Sequence, residues 1–284
     1  MIFPNRQDHV RAPFSAGRGT LRKGASLSRI SLEARAAFRH SVLASDAHAT
    51  EETSLSQVWH EMASGRYGVV DDFFSDDHCY LVLTPRADAV QHAMQGRRLK
   101  ILQAVLSGLP QKNVACDLDL APSTIALNSR LALEALGVSC KASRAHPLLM
   151  LAARAARDRR PASIRCSSFI SSDQRELRVL GAPRPDRRLT RVLPTAELAV
   201  IRRLIEGQSY AQIALDRGTS TRTIANQITA VFRRLRVSGR NELVQRLFWD
   251  ESLVQHLSSR TTGTFLRPRP RETTPPWSAE RRSA

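Results

Sequence analysis

Residues 193–243 read LPTAELAVIRRLIEGQSYAQIALDRGTSTRTIANQITAVFRRLRVSGRNEL, and this stretch decides the fold. Its apolar residues recur at helical spacing, in runs separated by a glycine or by a serine that can cap a helix. A first helix is predicted to end at Gly207, because glycine readily adopts the left-handed backbone found at helix ends. Ser209 is suited to cap a short second helix, and Ser220 to cap a third. Two helices joined across a glycine-containing turn predict a helix-turn-helix.

The third helix of this stretch is predicted to have two unlike faces. One face is polar and basic, which is typical of a helix that enters the major groove of DNA. The other face is apolar and holds Ile224, Ile228, Val231, Phe232 and Leu235. A fourth helix is predicted from about Asn241, with its apolar side formed by Leu243, Val244, Leu247 and Phe248.

An earlier part of the chain repeats this pattern at an offset of 99 positions. Residues 104–139 align without a gap to residues 203–238, with nine identities in 36 positions. Most other columns keep their apolar or polar character, so the sequence predicts a degenerate first copy of the helical unit. A pair of short strands is also predicted before each copy: Val69–Phe74 with Cys79–Leu83, and Ser163–Ile170 with Glu176–Gly181.

The charge of the chain favours a polyanionic partner. The 284 residues include 43 Lys+Arg and 26 Asp+Glu, which gives a formal net charge of +17. Part of the excess lies in residues 188–248, which contain eleven arginines and four acidic residues. Such a surplus is typical of proteins that bind nucleic acid or an anionic membrane surface.

Neither an enzyme nor a cofactor is predicted from the residue types present. The eight histidines are scattered, and the acidic residues between Asp71 and Asp77 fall on a predicted hairpin turn, where solvated carboxylates are ordinary. The four cysteines lack the spacing of a zinc site, and no glycine-rich phosphate loop occurs. No apolar run has the length of a membrane span or a signal peptide, so a cytoplasmic protein is expected.

The stretch 193–243 resembles the LuxR-type, or GerE-type, DNA-binding domain. The resemblance is carried by Leu193, Glu197, Val200, Leu204, Gly207, Ile213, Ala214, Gly218, Ser220, Thr223, Ile224, Asn226, Leu235, Val237 and Arg240. Residues 94–143 are similar to the same family, but Asp119 stands where glycine is usual and Leu127 stands at the position of Asn226. The resemblance implies a bacterial, nucleoid-associated transcriptional regulator with two tandem helix-turn-helix units.

The fold prediction is therefore a mainly α protein with two LuxR-like four-helix helix-turn-helix units, each preceded by a short β-hairpin, and with disordered tails. A short helix near Ser31–Leu43 is compatible with this organisation. The predicted domains are a disordered basic arm at 1–45, a helix plus β-hairpin at 46–92, the first unit at 93–157, a linker with a β-hairpin at 158–187, the second unit at 188–257 and a disordered tail at 258–284.

The resemblance implies a set of DNA-binding residues in the second unit. An amide such as Asn226 fits adenine through two hydrogen bonds, although a surface or capping role remains an alternative. Thr223 could bond the backbone instead of a phosphate, and Arg233 could lie on a solvated face. The complete set is Ser209, Ser220, Thr221, Arg222, Thr223, Ala225, Asn226, Thr229, Arg233 and Arg240.

The first copy offers a weaker, secondary set of DNA contacts: Lys112, Ser123, Thr124, Asn128 and Arg130. Glu134 and Ala135 replace the Arg233-Arg234 pair of the second copy, and a duplex repels an added carboxylate. The first copy is therefore expected either to bind DNA more weakly or to serve the structure.

Double-stranded DNA is the predicted partner, and RNA polymerase is a further candidate. The family resemblance implies a homodimer through the fourth helix on a palindromic site, whereas two unlike units on one chain favour an asymmetric site. The alternative function is a protein-interaction adaptor, in which degenerate helix-turn-helix units bind another regulator or a polymerase subunit.

Overall fold

A computed structural model of the protein describes residues 32–46, 51–138, 145–159, 161–171 and 174–249. The predicted tail at 258–284 and most of the predicted basic arm lie outside these ranges. The helices are α1 Leu32–Asp46, α2 Leu55–Ala63, α3 Ala89–His92, α4 Gly96–Leu106, α5 Gln111–Asp117, α6 Pro122–Ala135, α7 Pro147–Asp158, α8 Thr195–Ile205, α9 Tyr210–Asp216, α10 Thr221–Leu235 and α11 Arg240–Trp249. The strands are β1 Glu51–Ser54, β2 Tyr67–Phe74, β3 His78–Pro85, β4 Ser163–Ile170 and β5 Glu176–Pro183, and a 3₁₀ helix spans Pro185–Arg191.

One antiparallel sheet combines all five strands, in the order β1-β4-β5-β3-β2. The sequence predicts two separate hairpins, whereas the hairpins β2–β3 and β4–β5 join through a ladder between β3 and β5. In that ladder Leu81 lies opposite Leu180, the residue 99 positions further along the chain. Joining the hairpins removes two unpaired strand edges. It also gives a wider sheet, which is more stable in water than an isolated two-stranded hairpin.

One side of the sheet faces the main hydrophobic core. Helices α2 and α7 pack against each other, and α7 also contacts β3, α4 and α11. Along α7, seven of the residues from Leu148 to Ala155 are buried, so the helix has almost no solvated face. A helix that is apolar around its circumference is stable only in the interior of a protein. We call α4–α7 the first unit and α8–α11 the second unit.

Helix α1 covers the opposite side of the sheet. Val42 is buried there with Phe73 and Val179, and the Arg39 guanidinium lies 4.7 Å from the centre of the Phe73 ring. The Tyr80 hydroxyl donates a hydrogen bond of 3.0 Å to Asp46. The short helix expected near Ser31–Leu43 is therefore present as α1, whereas the disorder predicted up to residue 45 is wrong for residues 32–45, because α1 has its own apolar and charged contacts with the sheet.

A buried carboxylate on β2 fixes α1 in place. The Asp71 side chain has no solvent exposure and accepts hydrogen bonds from Arg35 and from Arg39, whose Nε lies 2.7 Å from Oδ2. Burial raises the pKa of Asp71, but the hydrogen bonds from Arg39 and Arg35 outweigh burial and hold the pKa below its ordinary value. The carboxylate therefore stays ionised at neutral pH, and α1 supplies both of its counter-charges.

Deletion of residues 1–46 is expected to lower the melting temperature by roughly 10 °C, because it exposes an apolar sheet face and leaves Asp71 buried without a counter-charge. Deletion of residues 1–31 is the matched control, since it keeps every described contact of α1. Differential scanning calorimetry measures both effects. Equal melting temperatures for the two truncated proteins would contradict the role assigned to α1.

Candidate nucleic-acid interface

The second unit is a compact arrangement of four helices. Helices α8, α9 and α10 contact one another, and α11 packs back on α8. Their buried apolar residues belong to the main core of the protein: Leu198, Val200, Ile201, Leu204, Ile205, Ile213, Ala214, Ile224, Ile228, Val231, Leu235, Leu243, Val244 and Leu247. The helix-turn-helix formed by α9 and α10 therefore packs on α8, which in turn contacts α11.

Two serines begin the helices of this helix-turn-helix, as the sequence predicts. Ser209 Oγ accepts a hydrogen bond from the backbone N–H of Gln212, and Ser220 Oγ accepts one from the backbone N–H of Thr223. The turn between the helices contains Gly218, whose φ of 59° lies in the left-handed region. These local interactions set where α10 begins and at what angle it leaves the turn.

Helix α10 has one buried and one exposed face. Ile224, Ile228 and Val231 are buried in the core of the unit. The exposed residues at its N-terminal half and middle are Thr221, Arg222, Thr223, Asn226, Thr229 and Ala230, with Arg233 and Arg234 near its end. The predicted contact residue Ala225 is only half-buried and borders this face. The exposed face is the part of α10 that can enter a DNA groove.

The exposed arginines around α10 differ in whether they are paired. Arg234 forms a two-pronged salt bridge with Glu197 on α8, at 2.7 and 3.2 Å, and Arg203 pairs with Asp216. Among the described residues, Arg222 and Arg233 meet no carboxylate within salt-bridge distance. Arg222 and Arg233 are therefore the cations of this helix that are available to phosphates, while Arg234 orients α10 on α8.

Thr223 and Asn226 occupy different environments on the exposed face. The Thr223 hydroxyl lies 2.8 Å from Ser220 Oγ, so it already takes part in the cap of α10. No side-chain hydrogen bond engages the Asn226 amide among the described residues, and the amide faces solvent. Of these two predicted contact residues, Asn226 has the freer side chain.

Arg240 lies outside the exposed face of α10 and is bonded to the backbone of the protein, and its DNA contact stays a prediction. Its guanidinium donates hydrogen bonds of 2.8 and 2.7 Å to the backbone carbonyls of Leu204 and Ile205, at the end of α8. Those carbonyls lie in the last turn of the helix, where the backbone has no intrahelical donor to offer. Arg240 is a capping residue that ties the start of α11 to the end of α8.

Two further exposed arginines flank α10 and were not predicted as contacts. Arg217 lies in the turn before α10, and Arg236 follows its last residue with a left-handed φ of 54°. Neither has an ion-pair partner among the described residues. The sequence could have indicated both arginines as possible contacts, because they lie just outside the two ends of the basic helix.

The predicted contact residues of the first unit differ in whether their side chains are already engaged within the protein. The Asn128 amide donates a hydrogen bond of 2.9 Å to the Thr124 carbonyl of its own helix, and Arg130 lies beside Glu134. Lys112 and Ser123 are exposed at the start of α5 and of α6. Helix α6 thus presents fewer free polar groups than α10.

The C-terminal end of α6 is attached to the sheet. The Arg86 guanidinium donates a 2.6 Å hydrogen bond to the Ala135 carbonyl, and the Val69 backbone N–H donates one of 2.8 Å to Leu136. Strand β2 forms an edge of the sheet, and α6 satisfies part of that edge. The first unit therefore has a structural role at the sheet.

A buried charge network joins the second unit to the sheet. Arg184 donates hydrogen bonds to Asp186, to Glu206 and to the Ser75 carbonyl, at 3.0, 2.7 and 3.0 Å. Asp186 has no exposed surface and also accepts a 2.8 Å hydrogen bond from Arg202 on α8. The network connects the β2–β3 turn and the 3₁₀ helix with the last turn of α8 and the residue that follows it. These contacts fix the second unit relative to the sheet.

Comparison with known proteins identifies the class of this domain. Residues 191–247 match the family model described as bacterial regulatory proteins, luxR family. These residues form a LuxR-type helix-turn-helix domain, and such a domain implies a DNA-binding transcription regulator rather than an enzyme. The match covers α8 to α10 and most of α11, and no curated protein or solved structure matches the chain.

The described residues contain no cluster of three or more histidine, cysteine, aspartate or glutamate side chains that could hold a metal ion. None of the described helices is long and apolar enough to cross a membrane.

Replacement of Arg240 by alanine is expected to lower stability by about 1.5–3 kcal/mol, because two charge-assisted hydrogen bonds to helix-end carbonyls are lost. Arg233→Ala is the matched control and should change stability by less than about 0.5 kcal/mol, since Arg233 is an exposed surface residue. Urea unfolding followed by circular dichroism gives both values. If Arg240→Ala left stability unchanged while weakening DNA binding, the capping role would be refuted.

Proposed function

We propose that the protein regulates transcription by binding specific DNA sequences, with α10 inserted in the major groove. The observation that carries this proposal is the exposed face of α10, where an unengaged amide and unpaired arginines stand above a buried apolar face. A helix in the major groove needs this division, because base edges offer hydrogen-bond partners and phosphates attract cations.

Asn226 is the proposed base-reading residue. Its amide presents one donor and one acceptor, which together match the N6 and N7 positions of adenine. The side chain lies in the N-terminal half of α10, on the exposed face, two turns before the salt bridge that holds Arg234. Ala225 and Thr229 border Asn226 and are proposed to contact neighbouring base edges.

Arg222 and Arg233 are the proposed phosphate-binding residues. They lie near opposite ends of α10, so they can reach the two strands that border the groove. Phosphate contacts give affinity without sequence preference, and each neutralised phosphate steepens the salt dependence of binding. Arg217 and Thr221 flank the same surface and are proposed to add contacts at its N-terminal edge.

The first unit favours a second candidate function, contact with another protein. Leu127, at the position of Asn226, is 46% exposed on α6, and Asn128 is bonded back to its own helix. An apolar side chain in place of an amide can contact a thymine methyl group or a protein surface. An adaptor role for α6, with another regulator or a polymerase subunit as the partner, is therefore compatible with DNA binding by α10.

Asn226→Ala is expected to reduce discrimination between the preferred site and a site with one changed base pair by about 1–3 kcal/mol. The preferred site is first obtained by selection from random duplexes. Leu127→Ala is the matched control at the equivalent position of α6 and should alter discrimination far less. Fluorescence anisotropy with both duplexes measures the effect, with circular dichroism as a check on folding. Equal losses in the two folded variants would contradict the assignment of base reading to α10.

Arg233→Ala is expected to weaken binding to all duplexes alike and to reduce the slope of log K against log salt concentration by about one. Arg130→Ala on α6 is the control, because Arg130 already lies beside Glu134. Titrations at four salt concentrations give the slopes. An unchanged slope for Arg233→Ala, with a changed sequence preference, would reassign Arg233 from the phosphates to the bases.

A further inference from the structure

We propose that the first unit acts as the built-in partner of α11, so that the protein remains a monomer and reads an asymmetric DNA site. A second copy of the chain could pair through α11 only if α11 offered an exposed face. The asymmetry of the DNA site rests on the proposed function of α10, whereas the monomeric state does not depend on DNA binding.

Gln245 is the strongest evidence that α11 is an internal interface. The side chain is 1% exposed, and its Nε2 donates hydrogen bonds of 2.9 Å to the carbonyls of Leu106 and Met150. Leu106 ends α4 and Met150 lies on α7. One amide of the second unit thus satisfies two backbone groups of the first unit, and a buried donor deprived of such partners is strongly unfavourable.

The start of α11 makes a second contact with the first unit. Asn241 Nδ2 donates a hydrogen bond of 3.3 Å to the Val105 carbonyl. The turn that follows α4 approaches so closely that a Cβ at Gly108, whose φ is 91°, would lie 3.3 Å from Gln245 Cγ. The turn after α4 is therefore in direct contact with the side chains of α11, and no helix of a second copy can fit between them.

The apolar residues of α11 are also taken up inside the chain. Leu243, Val244 and Leu247 are at most 1% exposed and belong to the same core as α7. All ten residues of α11 are described, and none of them is exposed: each is buried or half-buried. Because subunit interfaces are built around apolar residues that become buried, Leu243, Val244 and Leu247 are not available to a second copy.

The two halves of the chain face each other as two subunits would. Strands β3 and β5 pair antiparallel with Leu81 opposite Leu180, and α2 pairs with α7, the helix before the other hairpin. A two-fold dimer brings the same element of each copy together in this manner. Here the two copies of the element belong to one chain, and their sequences differ.

The consequence for DNA is a site without two-fold symmetry. Helix α10 offers Asn226, Arg222 and Arg233, whereas the corresponding helix α6 offers Leu127 and has Glu134 at the position of Arg233. Two identical half-sites would give α6 and α10 the same bases to read, although their exposed side chains differ. One strong half-site contacted by α10 is expected instead.

Sedimentation velocity of the full chain tests the monomeric state directly. A single species of about 32 kDa at 50 μM protein is expected. A concentration-dependent species of twice that mass would overturn the proposal, whether or not the protein binds DNA.

A mixing experiment tests the state of the protein on DNA. The full chain and a version enlarged by a fused solubility tag are mixed on the selected duplex and separated by native gel electrophoresis. Only the two bands of the separate complexes are expected, and a third band of intermediate mobility would overturn the proposal. Absence of any sequence-specific complex would refute the proposed function instead, and the sedimentation result would still decide the monomeric state.

Gln245→Ala tests the internal interface. The variant is expected to melt at least about 4 °C below the unchanged protein, because two buried carbonyls lose their donor. Arg246→Ala, a half-exposed neighbour paired with Glu242, is the control and should melt near the unchanged protein. Asn241→Ala is a milder second variant if Gln245→Ala does not fold, and its melting temperature should also fall. Melting temperatures equal to the control would overturn the interface.

Discussion

The burial of α7 from Pro147 to Ala153 is the constraint on which the rest of the structure depends. This part of the helix has no solvated face, so it needs partners all around it, and α7 finds them in α2, α4, α11 and β3. His146, which caps the start of α7, is compatible with this environment because burial lowers its pKa to about 4 and keeps it neutral at physiological pH. Since α7 ends the first unit and leads into the second hairpin, its position orients both halves of the chain.

A second constraint is the charge of Asp186, which is buried between the sheet and the DNA-binding domain. A carboxylate without solvent needs counter-charges and donors, and Arg184 and Arg202 provide them from two different elements. Removal of one arginine would leave the buried Asp186 carboxylate with a single counter-charge. The second unit is therefore held against the sheet by contacts that favour a single orientation, together with the apolar seam between α7 and α11. These contacts also fix the direction in which the exposed face of α10 points relative to the sheet.

The sequence predicts the local features of the fold well and the distant contacts poorly. Ser209 and Ser220 cap the helices that they were expected to cap, and the four hairpin strands lie where alternation and turn residues indicated. These features depend on neighbours within a few residues. The ladder between β3 and β5, and the hydrogen bonds of Arg240 to α8, join positions far apart in the chain, which no periodicity encodes. The resemblance suggested a DNA contact for Arg240, yet only the folded chain places its guanidinium on two carbonyls.

Helices α6 and α10 illustrate how packing and DNA reading make separate demands on a helix. The buried positions of α6 still hold Ile125 and Ala132, and their counterparts in α10, Ile224 and Val231, are buried as well. The exposed positions have changed, with Leu127 and Glu134 in place of an amide and an arginine. Packing of α6 on α4 and α5 requires the first set of positions and is indifferent to the second. A copy that supports α11 can therefore lose the side chains for reading DNA without losing its place in the core, provided that the other copy keeps them.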